Sequence, residues 1–289
     1  MGNDYLLERL LRERDPLLHK RVKDSVFVLE HMLNAFLVRF PNFTDHSVLH
    51  SLDVLRFCNE IIGEERAQKL SAGEIYVIIM AAYLHDIGMG IGEKEYKEFS
   101  ADEAFVEYFR LHENPDSATV VRTFHNEFSG MFIRKYAGLF DIPSEDLTFA
   151  VIQTSRGHRK TDLFDEEEFP ELETEYGRVR TAYTAAIIRL ADEIDVASER
   201  NPELLFDSST YTDEGNRLAF GSHESIRSVE VTEDAIILHT RPISEEFIRV
   251  VDELAEKIQG TLDYCRDVTE KRSDIRITQK DVLVKPSDN

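Results

Sequence analysis

Apolar residues recur at helical spacing over most of the first two thirds of the chain. Val22, Val26 and Leu29 follow one another at steps of four and three residues, which is the spacing of a buried helix face. Pro41 lies beyond this run and ends it, because proline cannot continue the hydrogen-bond ladder of a helix. The pattern predicts that residues 1–200 form a helical domain.

The most apolar of the predicted helices runs from Ile75 to His85. Ser71 is suited to its N-cap, and Gly88 and Gly90 end it. The acidic segment 165–175 is predicted to be a solvated linker, because its like charges repel one another and stay hydrated. The spacing of apolar residues predicts further helices over residues 49–62, 101–111, 117–136, 145–154 and 176–196.

The spacing changes after Pro202. Apolar and polar residues alternate across SIRSVEVTEDAIILHT, which predicts two strands joined by a turn at Glu233 and Asp234. A helix from Glu245 to about Thr269 follows, and the ending IRITQKDVLV again resembles a strand. Residues 201–289 are therefore predicted to form a small α+β appendage, and the chain as a whole to be mainly α.

Composition and charge narrow the class of partner. The chain is 42% hydrophobic and 31% charged, which is typical of a soluble globular protein. Its net charge of −22 argues against extended nucleic acid and against an anionic membrane as partners. The N-terminus lacks the apolar core of a signal peptide, and two cysteines cannot build a disulfide framework. A cytoplasmic protein is expected.

Candidate chemistry begins at the adjacent residues His85 and Asp86, which close the apolar helix. A neutral imidazole beside a carboxylate is a ligand pair for a divalent transition metal. A buried carboxylate without a cation would carry a free-energy penalty or become protonated, and a metal ion removes that penalty. This pair therefore predicts a metal site at the end of the helix.

Two further pairs of polar residues lie at helical spacing. His46 and His50 are one turn apart in TDHSVLHSLDV, and Asp192 and Asp195 are three residues apart in IIRLADEIDVASER. These segments are distant in sequence, so their side chains can meet His85 only through the tertiary fold. His46 could cap its helix, support a ligand or contact substrate, and Asp195 could orient a ligand histidine or cap.

This order of motifs resembles the HD superfamily of metal-dependent phosphohydrolases, whose fold is a helical bundle. HSLDV matches the context of the family's first ligand, which places that ligand at His50. LHDIG matches the family's doublet at His85 and Asp86, and RLADEID points to Asp192 as the last ligand. The resemblance implies one or two divalent metal ions, with Mn, Fe, Mg and Zn as the candidates.

Some branches of that superfamily bind a second metal through two histidines that lie between the doublet and the last aspartate. His125 and His158 occupy that interval and are predicted as these ligands. If either is not a ligand, it could protonate the leaving oxygen of a substrate. His112 also lies in the interval, but in a polar loop. Together with Asp86, His125 and His158 form the predicted catalytic set.

A basic run surrounds His158 in this otherwise acidic chain. Arg156, Arg159 and Lys160 could hold a phosphate group by charge-assisted hydrogen bonds. The alternative for this run is a solvated helix end whose cations face the backbone carbonyls. His46 completes the predicted set of substrate-binding residues.

The resemblance implies hydrolysis of a phosphomonoester or phosphodiester, with a nucleotide or another small phosphate ester as substrate. Two bound metals would ionise a water molecule near neutral pH and screen the charge of the phosphate. Two alternatives stay open: a di-iron oxygenase that uses the same ligands, and a non-catalytic module that senses a metal or a nucleotide. Because helical HD proteins often pair, a homo-oligomer is a further expectation.

Overall fold

The computed structural model describes residues 5–33, 48–112, 115–197, 225–241 and 245–287. The helices are α1 (Leu6–Arg14), α2 (Pro16–Leu33), α3 (Val48–Ala67), α4 (Ala72–Leu84), α5 (Glu93–Phe99), α6 (Val106–Leu111), α7 (Ser117–Tyr136), α8 (Glu145–Arg156), α9 (Thr181–Glu193) and α10 (Glu245–Arg272). The strands are β1 (Glu171–Thr174), β2 (Gly177–Arg180), β3 (Ile226–Val231), β4 (Ala235–Thr240) and β5 (Asp281–Pro286). The predicted helical bundle with a small C-terminal α+β part is confirmed.

Helix α4 is the centre of the bundle. Every residue from Gly73 to Leu84 is buried, as expected for a helix that is apolar on all sides, and α1, α2, α3, α8 and α9 pack around it. Ser71 is its N-cap, as predicted: the Ser71 hydroxyl accepts from the Glu74 amide, and the Glu74 carboxylate accepts from the Ser71 amide. This reciprocal pair fixes where the helix begins.

The segment Ala72–Gly90, which contains α4, has the length and the apolar composition of a membrane-spanning helix, with a mean hydropathy of 1.2. However, 94% of its apolar stretch is buried inside the protein. The segment is therefore packed as a core helix of the bundle.

The acidic segment 165–175, predicted to be a linker, is only partly one: residues 165–170 form turns with 165–167 exposed, but Glu171–Thr174 is strand β1 of a hairpin, and for that part the prediction is wrong. Strand β1 pairs antiparallel with β2, with Leu172 opposite Val179. Gly177 adopts a φ of 95° at the turn, a conformation that favours glycine. Helix α9 consequently begins at Thr181 rather than at residue 176. Pairing of the two apolar side chains outweighs the repulsion between the acidic ones.

Two other predicted elements differ in extent. Over residues 101–111 a short 3₁₀ turn, Glu103–Phe105, precedes a helix that begins only at Val106, because the Asp102 side chain accepts from the Ala104 amide and caps the turn. In the C-terminal part, β3 pairs antiparallel with β4 around the predicted turn, and β5 joins β4 in parallel. Of IRITQKDVLV, only the last four residues, DVLV, belong to a strand.

Helix α10 connects the C-terminal part to the bundle. It packs along α9, and the Lys257 ammonium lies 2.7 Å from a Glu193 carboxylate oxygen. The turn before β4 is also attached, since Arg66 of α3 donates to both carboxylate oxygens of Glu233, at 2.7 and 3.1 Å. The predicted boundary between residues 200 and 201 lies outside the described residues, so the division into 1–200 and 201–289 stays a prediction.

Candidate metal centre

Helix ends converge on one buried cluster of histidines and aspartates. His50 lies in the first turn of α3, and His85 caps the C-terminal end of α4 with Asp86 directly after it. Helix α7 departs from helical geometry at Phe124, one residue before His125. Asp192 lies in the last turn of α9, and Asp195 lies two residues beyond the end of that helix. His158 lies two residues beyond the end of α8. All the histidines of the cluster are buried.

One group of metal-ligand candidates consists of His50, His85 and Asp192, whose ligand atoms all lie within 4.8 Å of one another. The Nε2 atoms of His50 and His85 are 3.1 Å apart. Asp192 Oδ1 lies 3.3 Å from the first of these nitrogens and 3.7 Å from the second. Two imidazoles and a carboxylate are a donor set for a divalent transition metal.

A second group consists of Asp86, His125 and His158. The two Nε2 atoms are 3.0 Å apart, and Asp86 Oδ1 lies 3.3 Å from His125 and 3.4 Å from His158. The other carboxylate oxygen of Asp86 faces the first group, at 3.7 Å from His50 Nε2 and 3.5 Å from His85 Nε2. The Asp86 carboxylate therefore lies between the two groups and can serve both.

The far nitrogen of each imidazole has its own acceptor. Asp195 Oδ2 lies 2.6 Å from His50 Nδ1. If each Nδ1 carries the proton, the Nε2 atoms that face one another present lone pairs. Two lone pairs about 3 Å apart repel unless a cation lies between them, so the donor set fits a metal at each pair. Backbone carbonyls accept from the other three imidazoles: Ala82 from His85 at 3.1 Å, Arg122 from His125 at 2.8 Å and Ser155 from His158 at 2.5 Å.

Burial supports the neutral form of one of these ligands. Removal from water lowers the pKa of His125 to about 4, against the attraction of Asp86, which raises it. At neutral pH this imidazole is therefore uncharged, which is the form that binds a metal ion.

Comparison with known families is consistent with this geometry. The model of the HD-CE family, an HD-related domain, matches residues 40–274. The chain belongs to the HD-CE family. The match includes all six ligand candidates and extends past residue 200 into α10, so the HD-CE domain spans both regions of the predicted division. Comparisons with curated proteins and with solved structures find no significant match.

Ser129 of this HD-CE domain supports the doublet, a role that the sequence did not indicate. Its hydroxyl donates to the His85 carbonyl at 2.6 Å and accepts from the Gly88 amide at 2.9 Å. Gly88 allows α7 to come this close, because a Cβ there would lie 2.2 Å from the His125 carbonyl oxygen. No local pattern marks NEFSG, since the contact joins residues 44 positions apart.

The residues predicted to bind substrate have different placements. His46 lies outside the described residues. Arg156 is engaged in the fold, with ion pairs of 2.8 Å to Glu127 and 2.9 Å to Glu168. Arg159 and Lys160 are exposed at the end of α8, and the charge of Arg159 acts on His125. Within this run, Arg159 is therefore the residue whose charge contributes, as the smallest of several causes, to the lowered pKa of His125.

Proposed function

We propose that this HD-CE protein is a dinuclear metal-dependent phosphohydrolase that cleaves a phosphomonoester or phosphodiester of a nucleotide. The observation that carries the proposal is the position of Asp86 between two facing imidazole pairs, with one carboxylate oxygen toward each. Two-metal hydrolytic sites need such a bridging group, because both ions act on the same reacting phosphate.

The donor set also limits the metals. Four imidazoles and two carboxylates favour Mn, Fe or Zn over Mg, which prefers oxygen ligands alone. When bound, two such ions supply an activated water nucleophile and screen the negative charge of the phosphate. We expect a small-molecule substrate in a cytoplasmic protein, consistent with a site formed by buried side chains inside the bundle.

The chain's own residues hold this arrangement in place. Asp86 positions both groups relative to each other, and Asp195 fixes the ring of His50 through the 2.6 Å contact to Nδ1. The inward-facing Nε2 atoms of His125 and His158 favour a ligand role over the role of proton donor to the leaving group. The exposed Arg159 is suited to hold a phosphate oxygen beside the centre.

The test is the metal content of wild type and Asp86→Ala, measured by mass spectrometry on protein purified without chelator. We expect about two ions per chain in the wild type and few in the variant, with metal-dependent hydrolysis only in the wild type. His112→Ala is the matched control, since His112 is exposed and stacks on Tyr108. Full activity in Asp86→Ala would refute the proposal.

The assay also separates the alternatives. Turnover that requires O₂ would favour the oxygenase, so each reaction is run with and without oxygen. A protein that takes up no metal after incubation with Mn²⁺, Fe²⁺, Zn²⁺ or Mg²⁺ would favour the non-catalytic module.

A further inference from the structure

A cavity of about 330 Å³ lies beside the metal centre, with Asp86 in its wall. Much of the wall is apolar and comes from Met32, Leu33 and Phe132. The volume is at the lower end of the range of ~300–1,000 Å³ that is usual for small-molecule sites. The cavity therefore has room for the organic part of a substrate whose phosphate is held at the metal centre.

A second carboxylate, that of Glu95, also lines this cavity. The Tyr136 hydroxyl donates to Glu95 Oε1 at 2.8 Å, and this hydrogen bond lowers the pKa of the Glu95 carboxyl. Gly92 leaves space for the group, since a Cβ there would lie 2.9 Å from Glu95 Oε2. Because a carboxylate has about four acceptor sites, Glu95 can accept from a ligand while it keeps Tyr136.

The charges of the wall indicate which part of a substrate enters. Asp86 and Glu95 both line the cavity, and none of the described lining residues is Lys, Arg or His. Lys135, which is not a lining residue, lies 3.9 Å from Glu95 Oε1 and offsets part of that carboxylate's charge. A phosphate group would be repelled there, whereas a group that donates N–H hydrogen bonds would be attracted. The wall thus favours a group with N–H donors over a phosphate, and the charges alone do not distinguish a neutral group from a cationic one.

The shape of the wall favours a flat ring. The rings of Phe132 and Tyr136 are adjacent, with centroids 4.6 Å apart, and both residues line the cavity. Aromatic side chains offer stacking and edge contacts to a planar ligand. Met32 adds an adaptable surface, because its unbranched chain fits irregular shapes.

We propose that this cavity binds an amino-bearing nucleobase, of the adenine, guanine or cytosine type, with Glu95 accepting a hydrogen bond from the amino group. The inference rests on the proposed function for the position of the phosphate, and it deepens that function by naming the base. It assigns Glu95 to substrate recognition and Tyr136 to positioning its carboxylate.

The first test is nucleoside binding to protein stripped of metal, measured by titration calorimetry or saturation-transfer NMR. We expect adenosine, guanosine or cytidine to bind. Uridine has no amino group, and its single base donor, N3–H, lies between two carbonyl acceptors that a carboxylate repels, so it should bind at least about tenfold more weakly. Glu95→Gln should remove this preference: the amide oxygen keeps the hydrogen bond from Tyr136, so the NH2 group presents a donor where the ligand needs an acceptor. Glu93→Gln is the matched control: Glu93 lies on the same helix, forms an exposed ion pair with Lys97 and is not a lining residue. Glu98 is unsuitable, because its partner Lys135 also lies 3.9 Å from Glu95 Oε1.

The second test separates binding from turnover in Mn²⁺-loaded protein. For Glu95→Gln we expect the KM of the nucleoside monophosphate, relative to that of p-nitrophenyl phosphate, to rise about tenfold or more with the corresponding kcat ratio retained. Tyr136→Phe should raise the same ratio by less, and Glu93→Gln should leave it unchanged. These shifts would support the proposal.

Three outcomes would overturn the subsite. They are nucleoside binding that is equal in wild type and Glu95→Gln, equal affinity for uridine and cytidine, and tighter binding of choline phosphate than of any nucleotide. The proposal of a base-binding cavity and the proposal of a hydrolase can be contradicted independently of each other. Metal-dependent hydrolysis of p-nitrophenyl phosphate without nucleoside binding contradicts only the base site, whereas nucleoside binding in a protein that never hydrolyses contradicts only the hydrolase.

Discussion

The two ends of helix α4 each bury a carboxylate, but the groups around that carboxylate differ. At the N-terminal end, Glu74 is 1% exposed and accepts two hydrogen bonds from the Arg180 guanidinium, at 2.6 and 2.7 Å. At the C-terminal end, Asp86 faces four imidazole nitrogens at 3.3–3.7 Å. The first arrangement is a completed ion pair, and the second has the spacing of a ligand set.

One helix therefore stabilises the fold at its N-terminal end and presents candidate metal ligands at its C-terminal end. A buried ion pair within the chain keeps its charges satisfied whenever the protein is folded. A carboxylate among candidate metal-ligand imidazoles gains an additional counter-charge when a metal ion binds, so part of its contribution to stability depends on metal concentration. The two ends of α4 should therefore respond in opposite ways to chelators and to substitution.

The largest expected loss of stability follows from breaking the completed pair. Arg180→Met leaves the Glu74 carboxylate buried without its guanidinium, which should lower the free energy of unfolding by about 3–5 kcal/mol. Urea unfolding monitored by circular dichroism measures this loss, and we expect the same value with and without EDTA. A loss that appeared only in metal-loaded protein would place the effect at the other end of the helix.

Arg178→Met is the control for that experiment. Arg178 lies on the same strand two residues earlier, and its ion pairs with Glu171 and Asp274 are exposed. Exposed pairs contribute less than about 1 kcal/mol. If both variants lost the same stability, Glu74–Arg180 would behave as a surface pair and the comparison would fail.

The metal end of α4 should show the opposite dependence. Wild-type protein should gain about 2.7 kcal/mol of stability for each bound ion when free Mn²⁺ or Zn²⁺ is a hundredfold above the dissociation constant of that site. Asp86→Asn should lose this gain. Without metal, however, the variant should be at least as stable as the wild type, because the amide of asparagine carries no buried negative charge.

Paired thermal unfolding of both proteins in EDTA and in buffered metal checks this expectation. If metal-free Asp86→Asn unfolds well below the metal-free wild type, Asp86 is a stabilising residue of the fold. In that case the proposed ligand role would lose its physical basis.

The same contrast explains how much the sequence could predict. The Ser71 cap and the doublet His85–Asp86 depend on neighbours in the chain, so short motifs predicted both ends of α4. Arg180 could not be matched to Glu74, because the pair spans 106 positions and depends on how the hairpin folds back. Local sequence patterns predict helix caps and the residue types of metal ligands. The partner that a side chain meets across the bundle depends on tertiary packing, which such patterns do not predict.

Within the metal centre the same limit applies. HSLDV, LHDIG and RLADEID indicated His50, the doublet and Asp192, and the structure brings these side chains together. His125 and His158 were isolated histidines whose role depended on the family resemblance alone. Their pairing on Asp86 arises from the break in α7 at Phe124 and from the end of α8. Neither feature leaves a readable spacing in the sequence.

The smallest expected effect distinguishes the two imidazole pairs. His50 is oriented by a carboxylate, Asp195, whereas His125 and His158 are oriented by backbone carbonyls. Asp195→Ala should therefore weaken one of the two metal-binding steps by about 10–100-fold and leave the other unchanged. Asp195→Asn keeps an acceptor for Nδ1 but removes the charge, so its loss should be smaller.

Native mass spectrometry in metal buffers counts the ions bound at each free Mn²⁺ or Zn²⁺ concentration. We expect Asp195→Ala to extend the range over which the one-ion species predominates, while Asp267→Ala, an exposed aspartate of α10, matches the wild type. Equal weakening of both steps would mean that Asp195 acts on the shared Asp86 or on the fold as a whole. The two pairs would then form one cooperative site, and the carboxylate behind His50 would have no separate role.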